Sequence, residues 1–237
     1  MSDYLLFVDT ETSGWPKNWH QSYAAEGNWP HVVQAAWMIY TKDGRVVKTE
    51  NHFISNDDFS ISPTSQQIHG ISQEFRLAQG KSRKIVLNTL HQDLLQYQPL
   101  VIGYFTQLDY HMLSAEFYRL RMDNPLEKLP VFCVMKSAAL YSYFPSRKYL
   151  SLDRLYEKLF QTPLREHHDA LVDTQATARC FFALRQQGRI NDKIIARQQQ
   201  DETVVKVPST DQRVKLGWLL LAAFLLVVLL YWFLRGA

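Results

Sequence analysis

Apolar positions along this chain fall into two rhythms. A four-residue run at 5–8 (LLFV) ends on Asp9, and longer runs at 32–40 and 46–53 are rich in β-branched and aromatic residues. All three read as strands, and Thr41-Lys42-Asp43-Gly44 between the last two suits a hairpin turn. Short runs at 100–104 and 131–134 predict two more strands. Helical spacing predicts helices at about 85–97, 109–121, 151–160 and 170–187. Strands alternating with helices give an α/β fold. No internal repeat is present. After Gly188 the periodicity stops, and a polar stretch containing RQQQDETVVKVPSTDQ reads as a spacer with room for a short helix.

Residues 216–234 follow a different rule, with 19 residues in a row and no charge. At ~1.5 Å per residue this is about 28 Å of helix, close to the ~30 Å hydrocarbon core of a bilayer. Trp218 stands near one end and Tyr231 and Trp232 near the other, where interfacial aromatics belong. A buried core helix is the rival account, but a uniformly apolar segment has no polar face with which to cover a soluble domain. The expected organisation is a domain over 1–188, a linker over 189–215 and a transmembrane helix over 216–234. Arg213 and Lys215 before the helix outweigh Arg235 after it, and Met1-Ser2-Asp3 leaves no room for a secretory leader. Two cysteines, Cys133 and Cys180, make no disulfide framework. The expected location is therefore a membrane, with the N-terminal domain facing the cytoplasm.

Charge narrows the partners. The net charge of +3, from 26 basic and 23 acidic residues, gives no broad electrostatic surface for gripping long duplexes. Local basic contacts remain available from Arg45, Lys81, Arg83, Lys84, Arg147 and Lys148, each of which also fits a solvated face.

The candidate chemistry lies in four acids and one histidine. Asp9 and Glu11 sit at i and i+2 of the first strand, so their carboxylates project to one side. Asp109 follows the run at 100–104, and His168 and Asp173 bracket the start of the last helix. Acids gathered at a sheet centre repel unless cations neutralise them. Two divalent ions would balance four carboxylates, and pairs of metals about 3.5–4 Å apart are a known arrangement for phosphodiester cleavage. Oxygen ligands suit Mg²⁺, with Mn²⁺ as a substitute. Alone, Asp109 would be better read as a solvated residue; the combination reads as a metal-dependent nuclease.

These residues resemble the DEDDh 3′–5′ exonucleases, which include proofreading exonuclease subunits and three-prime repair exonucleases. Asp9-Thr10-Glu11-Thr12 matches the first motif, Asp109 the second, and His168-x-Ala170-x-x-Asp173 the third. Ile68-His69-Gly70-Ile71 after Ser62-Pro63, Cys133-Val134-Met135, and Leu152-Asp153-Arg154-Leu155-Tyr156 fall in the expected order between them. The resemblance covers about 4–184 and implies a ribonuclease-H-like mixed sheet flanked by helices. It further implies that Asp9, Glu11 and Asp173 hold one metal, that Asp9 bridges to a second, and that Asp109 acts through water. His168 would be the general base, with an unperturbed pKa near ~6.5. His167 has the wrong spacing, and Asp169 reads as a helix cap. Some members of the family pair through a sheet edge, so a homodimer is a further expectation.

The chain departs from the family at the second motif. A pattern like GHNxxFD is common there, whereas this chain has Gly103-Tyr104-Phe105-Thr106-Gln107-Leu108-Asp109. The asparagine amide is missing and the acids remain, so the site reads as a variant. Between 14 and 31 runs an aromatic loop, in which Trp15 and Trp19 read as a wall of the substrate pocket and Trp29 as part of a miniature core. Thr10, Thr12, His69, Tyr104 and Phe105 complete the candidate substrate-binding set, a structural hydrogen bond being the equal alternative for His69. The expected activity is release of nucleoside monophosphates from single-stranded 3′ ends, DNA ahead of RNA. A membrane adaptor that binds nucleic-acid ends without cutting them, or a nuclease subunit of a membrane effector complex, are the alternatives.

Overall fold

In a computed structural model of the protein, residues 2–138 and 149–200 are described. The apolar segment 216–234, most of the spacer, Arg147 and Lys148 lie outside them. Among the described residues no helix is long and apolar enough to cross a membrane.

Five strands form one mixed sheet: β1 (Tyr4–Thr12), β2 (Val32–Thr41), β3 (Val46–Phe53), β4 (Leu100–Gly103) and β5 (Val131–Cys133), in the order β3-β2-β1-β4-β5. β1 runs antiparallel to β2 and parallel to β4. Strand alternation then assigns its side chains. Leu6 and Val8 enter a core with α3 (Arg83–Tyr97) and α4 (Thr106–Arg119). Leu5 and Phe7 enter the opposite core, formed with α6 (Leu152–Phe160), α7 (Ala170–Gln186) and α8 (Asp192–Gln200). Each fully buried Leu or Phe here stabilises the fold by ~1.5–3 kcal/mol relative to exposure. Continued by two and four residues, the same alternation puts Asp9 and Glu11 on the α7 side.

The predicted strands and four predicted helices are all present. Two short helices were not legible, α1 (Pro63–His69) and α2 (Gln73–Gln79). α1 buries no residue and α2 buries only Arg76, so neither has an apolar stripe. Caps and one cation hold them instead. Ser62 accepts from the Ser65 N–H and Ser72 from the Phe75 N–H. Arg76 is fully buried, donates to the carbonyls of Ile54 and Phe59, and lies 3.9 Å over the Phe59 ring. A four-residue α5 (Val134–Ser137) follows β5 directly.

α8 is the helix for which the spacer had room. Its Gln198 side chain accepts from the Cys133 N–H at 3.1 Å and donates to the Cys133 carbonyl at 3.2 Å. The amide thereby occupies part of the open ladder of edge strand β5.

Arg83 is not the free basic contact the sequence suggested. Its Nε lies 2.6 Å from Glu116 Oε2, and its terminal nitrogens donate to both oxygens of Asp58. Arg119 donates to the other Glu116 oxygen at 2.8 Å, as does the Val32 N–H at 2.9 Å. Glu116 is fully buried. Arg83→Met removes one partner of this carboxylate, so the expected loss is about 3–5 kcal/mol in a urea melt. A loss under about 1 kcal/mol would show that the network is dispensable.

Candidate active site

The acids converge from three elements. β1 supplies Asp9 and Glu11, the first turn of α4 supplies Asp109, and the first turn of α7 supplies Asp173. Ala36 lies opposite Asp9 across β2, and Gln34 opposite Glu11. Asp109 is buried behind β1, where its Oδ1 accepts from both the N–H and the hydroxyl of Thr10, at 3.0 and 2.9 Å. A Cβ on Gly103 would stand 3.0 Å from Asp109 Oδ2, so the glycine permits this close approach.

Asp173 receives the backbone N–H of His168 on Oδ2 at 3.1 Å. Among the described residues its Oδ1 is buried with no hydrogen-bond partner. Ligand-type atoms of Glu11, His168 and Asp173 lie within 4.8 Å of one another. His168 itself is exposed and takes a φ of 72°, with Glu166 at 57° just before it. Two non-glycine residues held in the left-handed region mark a strained approach to α7.

Repulsion and burial act together on these acids. Burial, then Asp109, Asp173 and Glu11, push the Asp9 carboxyl well above its ordinary range. Glu11 is pushed up to about 8 by burial first and Asp173 next. Burial also raises Asp109 and Asp173, against the hydrogen bonds from Thr10 and His168. The His168 imidazole moves the other way: its partial desolvation at the cleft edge and the neighbouring His167 favour its neutral form. Four oxygen donors that resist ionising together, one of them unpartnered, fit hard divalent cations such as Mg²⁺ or Mn²⁺.

A cleft of about 570 Å³ opens over this cluster. Asp9, Thr10, Glu11, Thr12, Trp15, His69, Phe105, His168 and Asp173 all line it. Trp15 is 60% exposed and faces Phe105 nearly parallel, ring centres 6.4 Å apart. Trp19 packs against both rings, 5.7 Å from Trp15 and 6.1 Å from Phe105, and is not among the residues that line the cleft. Trp29 is buried and stacks on His111, as a miniature core requires. His69 accepts from the Ile71 N–H through Nδ1, so it has a structural bond as well as a place in the cleft wall.

Tyr104 is not brought to the cleft. It packs in the core beside Leu100 and Ile102, and its hydroxyl donates to the Leu150 carbonyl at 2.7 Å. Alternation along β4 is the reason: residues 100, 102 and 104 share one side. Asp169 caps α7, accepting from the Leu171 and Val172 N–H groups.

One residue that sequence reasoning passed over, Gln34, ties these parts together. Fully buried, it donates to Asp169 Oδ2 at 3.1 Å and accepts the Ala170 N–H at 3.2 Å, fixing the start of α7 against β2. A glutamine inside the apolar run VVQAAWMI was the available signal.

The Exonuclease family (RNase_T) matches residues 6–181. The chain belongs to this family. Among solved structures, exonuclease I is similar with a TM-score of 0.64 at 19% identity, over 81% of this chain and 42% of that one. Escherichia coli exonuclease I in complex with a dT13 oligonucleotide gives 0.63 at 20%, over 79% and 42%. The nuclease domain of 3′hExo, described as a DEDDh family member bound to rAMP, gives 0.61 at 16%, over 79% of this chain and 94% of that one. These likenesses establish a shared fold, and the chain spans less than half the length of the exonuclease I structures. No curated protein sequence matches.

For a member of the exonuclease family, the raised carboxyl pKa values carry a sign that can be measured. Each group holds its proton more tightly folded than unfolded, so the folded protein binds more protons across roughly pH 4–8. Metal-free stability therefore falls as pH rises through that window, and a cation bound to the ionised set restores it. The gain in Tm on adding Mg²⁺ is expected to be larger at about pH 8 than at about pH 5. Equal gains at both would sever the acids from metal binding.

Proposed function

We propose that this chain is a metal-dependent 3′–5′ exonuclease that removes nucleoside monophosphates from single-stranded 3′ ends, DNA ahead of RNA, and that residues 216–234 tether it to a membrane. The observation that carries the reading is the convergence of Asp9, Glu11 and Asp173 in one cleft with His168, while Asp109 is held behind them by Thr10.

Asp9, Glu11, Asp109 and Asp173 would hold two Mg²⁺ ions, for which Mn²⁺ can substitute. Bound there, the ions supply charge stabilisation for phosphodiester cleavage and a water nucleophile at neutral pH. The chain's own residues do the rest. His168, exposed at the cleft edge with its imidazole held neutral, takes the proton from the attacking water. Asp173 anchors the His168 backbone, so base and ligand stay in register. Trp15 and Phe105 offer aromatic surface to the terminal nucleotide, where many relatives have an asparagine amide.

Substrate choice draws on similar structures, one exonuclease I bound to dT13 and 3′hExo bound to rAMP. They leave both sugars in play, and the 2′-hydroxyl is the group that decides between them. For a homodimer at a sheet edge β3 is the favoured edge, because Gln198 covers β5 at Cys133.

The test uses the full chain in detergent with Mg²⁺ or Mn²⁺ and matched 5′-labelled DNA and RNA single strands. A ladder shortening from the 3′ end, abolished by chelator, is the expected result. Strand binding without cleavage would favour the adaptor, with Phe105 as the first residue to replace. Partition of the full chain, but not of residues 1–200, into liposomes tests the tether.

A further inference from the structure

A second, larger cleft adjoins the acidic one. It measures about 900 Å³ against about 570 Å³, and Gly14 and Trp15 line both. Trp15 is therefore a post between two depressions, the acids on one side and a wall made of Lys17, Asn28 and His31 of the loop 14–31 with Phe59 and Ser60 on the other.

We infer that this second cleft is the subsite for the upstream nucleotides of the single strand whose 3′ end enters the acidic cleft; the inference rests on the exonuclease reading. Three observations carry it.

Continuity is the first. Buried Ser13 donates its N–H to the His31 carbonyl and accepts the Ser62 N–H on its own carbonyl, and its hydroxyl accepts the His31 N–H. Ser62 lines the acidic cleft and His31 the second one, so hydrogen-bonded backbone through Ser13 links the linings of the two.

The chemistry also changes across the post. Three acids line the first cleft, where phosphates are tolerated only beside bound cations. The second carries the cations Lys17 and Arg119 against one acid, Glu26. It also holds aromatic surface at Trp15 and at His31, which stacks on Phe59 at 4.5 Å while Arg76 covers the other Phe59 face. Lys17 for the backbone and aromatic surface for the bases are the elements an unpaired strand uses.

Size is the third. Pockets for drug-sized ligands run from roughly 300 to 1,000 Å³, and at about 900 Å³ the second cleft lies near the top of that range, with more room than the acidic one.

Arg119 is committed to Glu116 and to the carbonyls of Trp29 and Pro30, so it shapes the wall. Lys17 is exposed and is the residue to test. The full chain in detergent, with Ca²⁺ to slow turnover, is irradiated with a thymidine oligonucleotide carrying 4-thiothymidine at the third or fourth position from the 3′ end. Cross-links are expected in the peptide 14–31. Cross-links confined to other surfaces, or none with a strand that binds, would overturn the inference.

A second arm compares KM for a thymidine dinucleotide and hexanucleotide. Lys17→Glu should raise KM more for the hexanucleotide, leave kcat within twofold or so, and reduce the salt slope of log KM by about one. Equal effects on both lengths count against the subsite. Cross-links in 14–31 without cleavage of any strand would uphold the subsite and overturn the exonuclease reading.

Discussion

Asp9→Asn is expected to lower kcat on single-stranded DNA by on the order of a thousandfold or more, and to raise the Tm of the metal-free protein. The two signs follow from one arrangement. Asp9 lies on β1 among Glu11, Asp109 and Asp173, and burial and those neighbours together raise its pKa. Without cations, an amide in its place removes a carboxyl whose ionisation the fold disfavours, so the apoprotein gains stability at pH values above the ordinary carboxylate range. With cations, the same change removes a ligand shared by the whole set, and groups that act as a unit fail together. Asp173→Asn should behave alike in activity but gain less stability, because Asp173 also accepts the His168 N–H. Labelled-strand cleavage and a thermal melt, each with and without chelator, read both effects. A variant that loses activity and also loses apoprotein stability would place Asp9 in the framework instead of the site.

Much of this was legible along the chain, for physical reasons that differ by element. The sheet announced itself because β1 and β2 are buried on both faces and read as near-continuous apolar runs. Asp9 and Glu11 stood out against that background. α1 and α2 were hidden because capping serines and the Arg76 latch hold them, with no apolar stripe to see. Long-range polar contacts were hidden too. Thr10 and Asp109 are 99 positions apart, and Gln34 and Asp169 are 135 apart, so no local pattern could join them. Tyr104 is a different case, since the alternation of β4 already turned it toward the core with Leu100 and Ile102. Its partner in the departure, Phe105, stands one residue on and faces the cleft. The replacement of two family polar residues therefore splits into one core substitution and one change of cleft wall.

That split sharpens what His168 must do. With no asparagine amide at position 105 to orient water, proton removal falls more heavily on the imidazole. His168→Ala is expected to lower kcat by about 100- to 10,000-fold with KM changed by no more than a few-fold. The pH profile separates this role from a structural one. Partial desolvation and His167 lower the His168 pKa from its ordinary value, so the neutral base predominates above about pH 6.5. In saturating Mg²⁺ the carboxylates are held ionised, and kcat/KM of the unmodified chain should fall on the acid side as the imidazole gains its proton. The variant should lose that acid limb along with its rate. His167→Ala, which removes the ring 4.5 Å away, should keep the rate and move the limb to higher pH, since a source of positive charge beside the base is gone. A limb that persists unchanged in His168→Ala would assign the titration to the carboxylates and leave the attacking water without its proposed base.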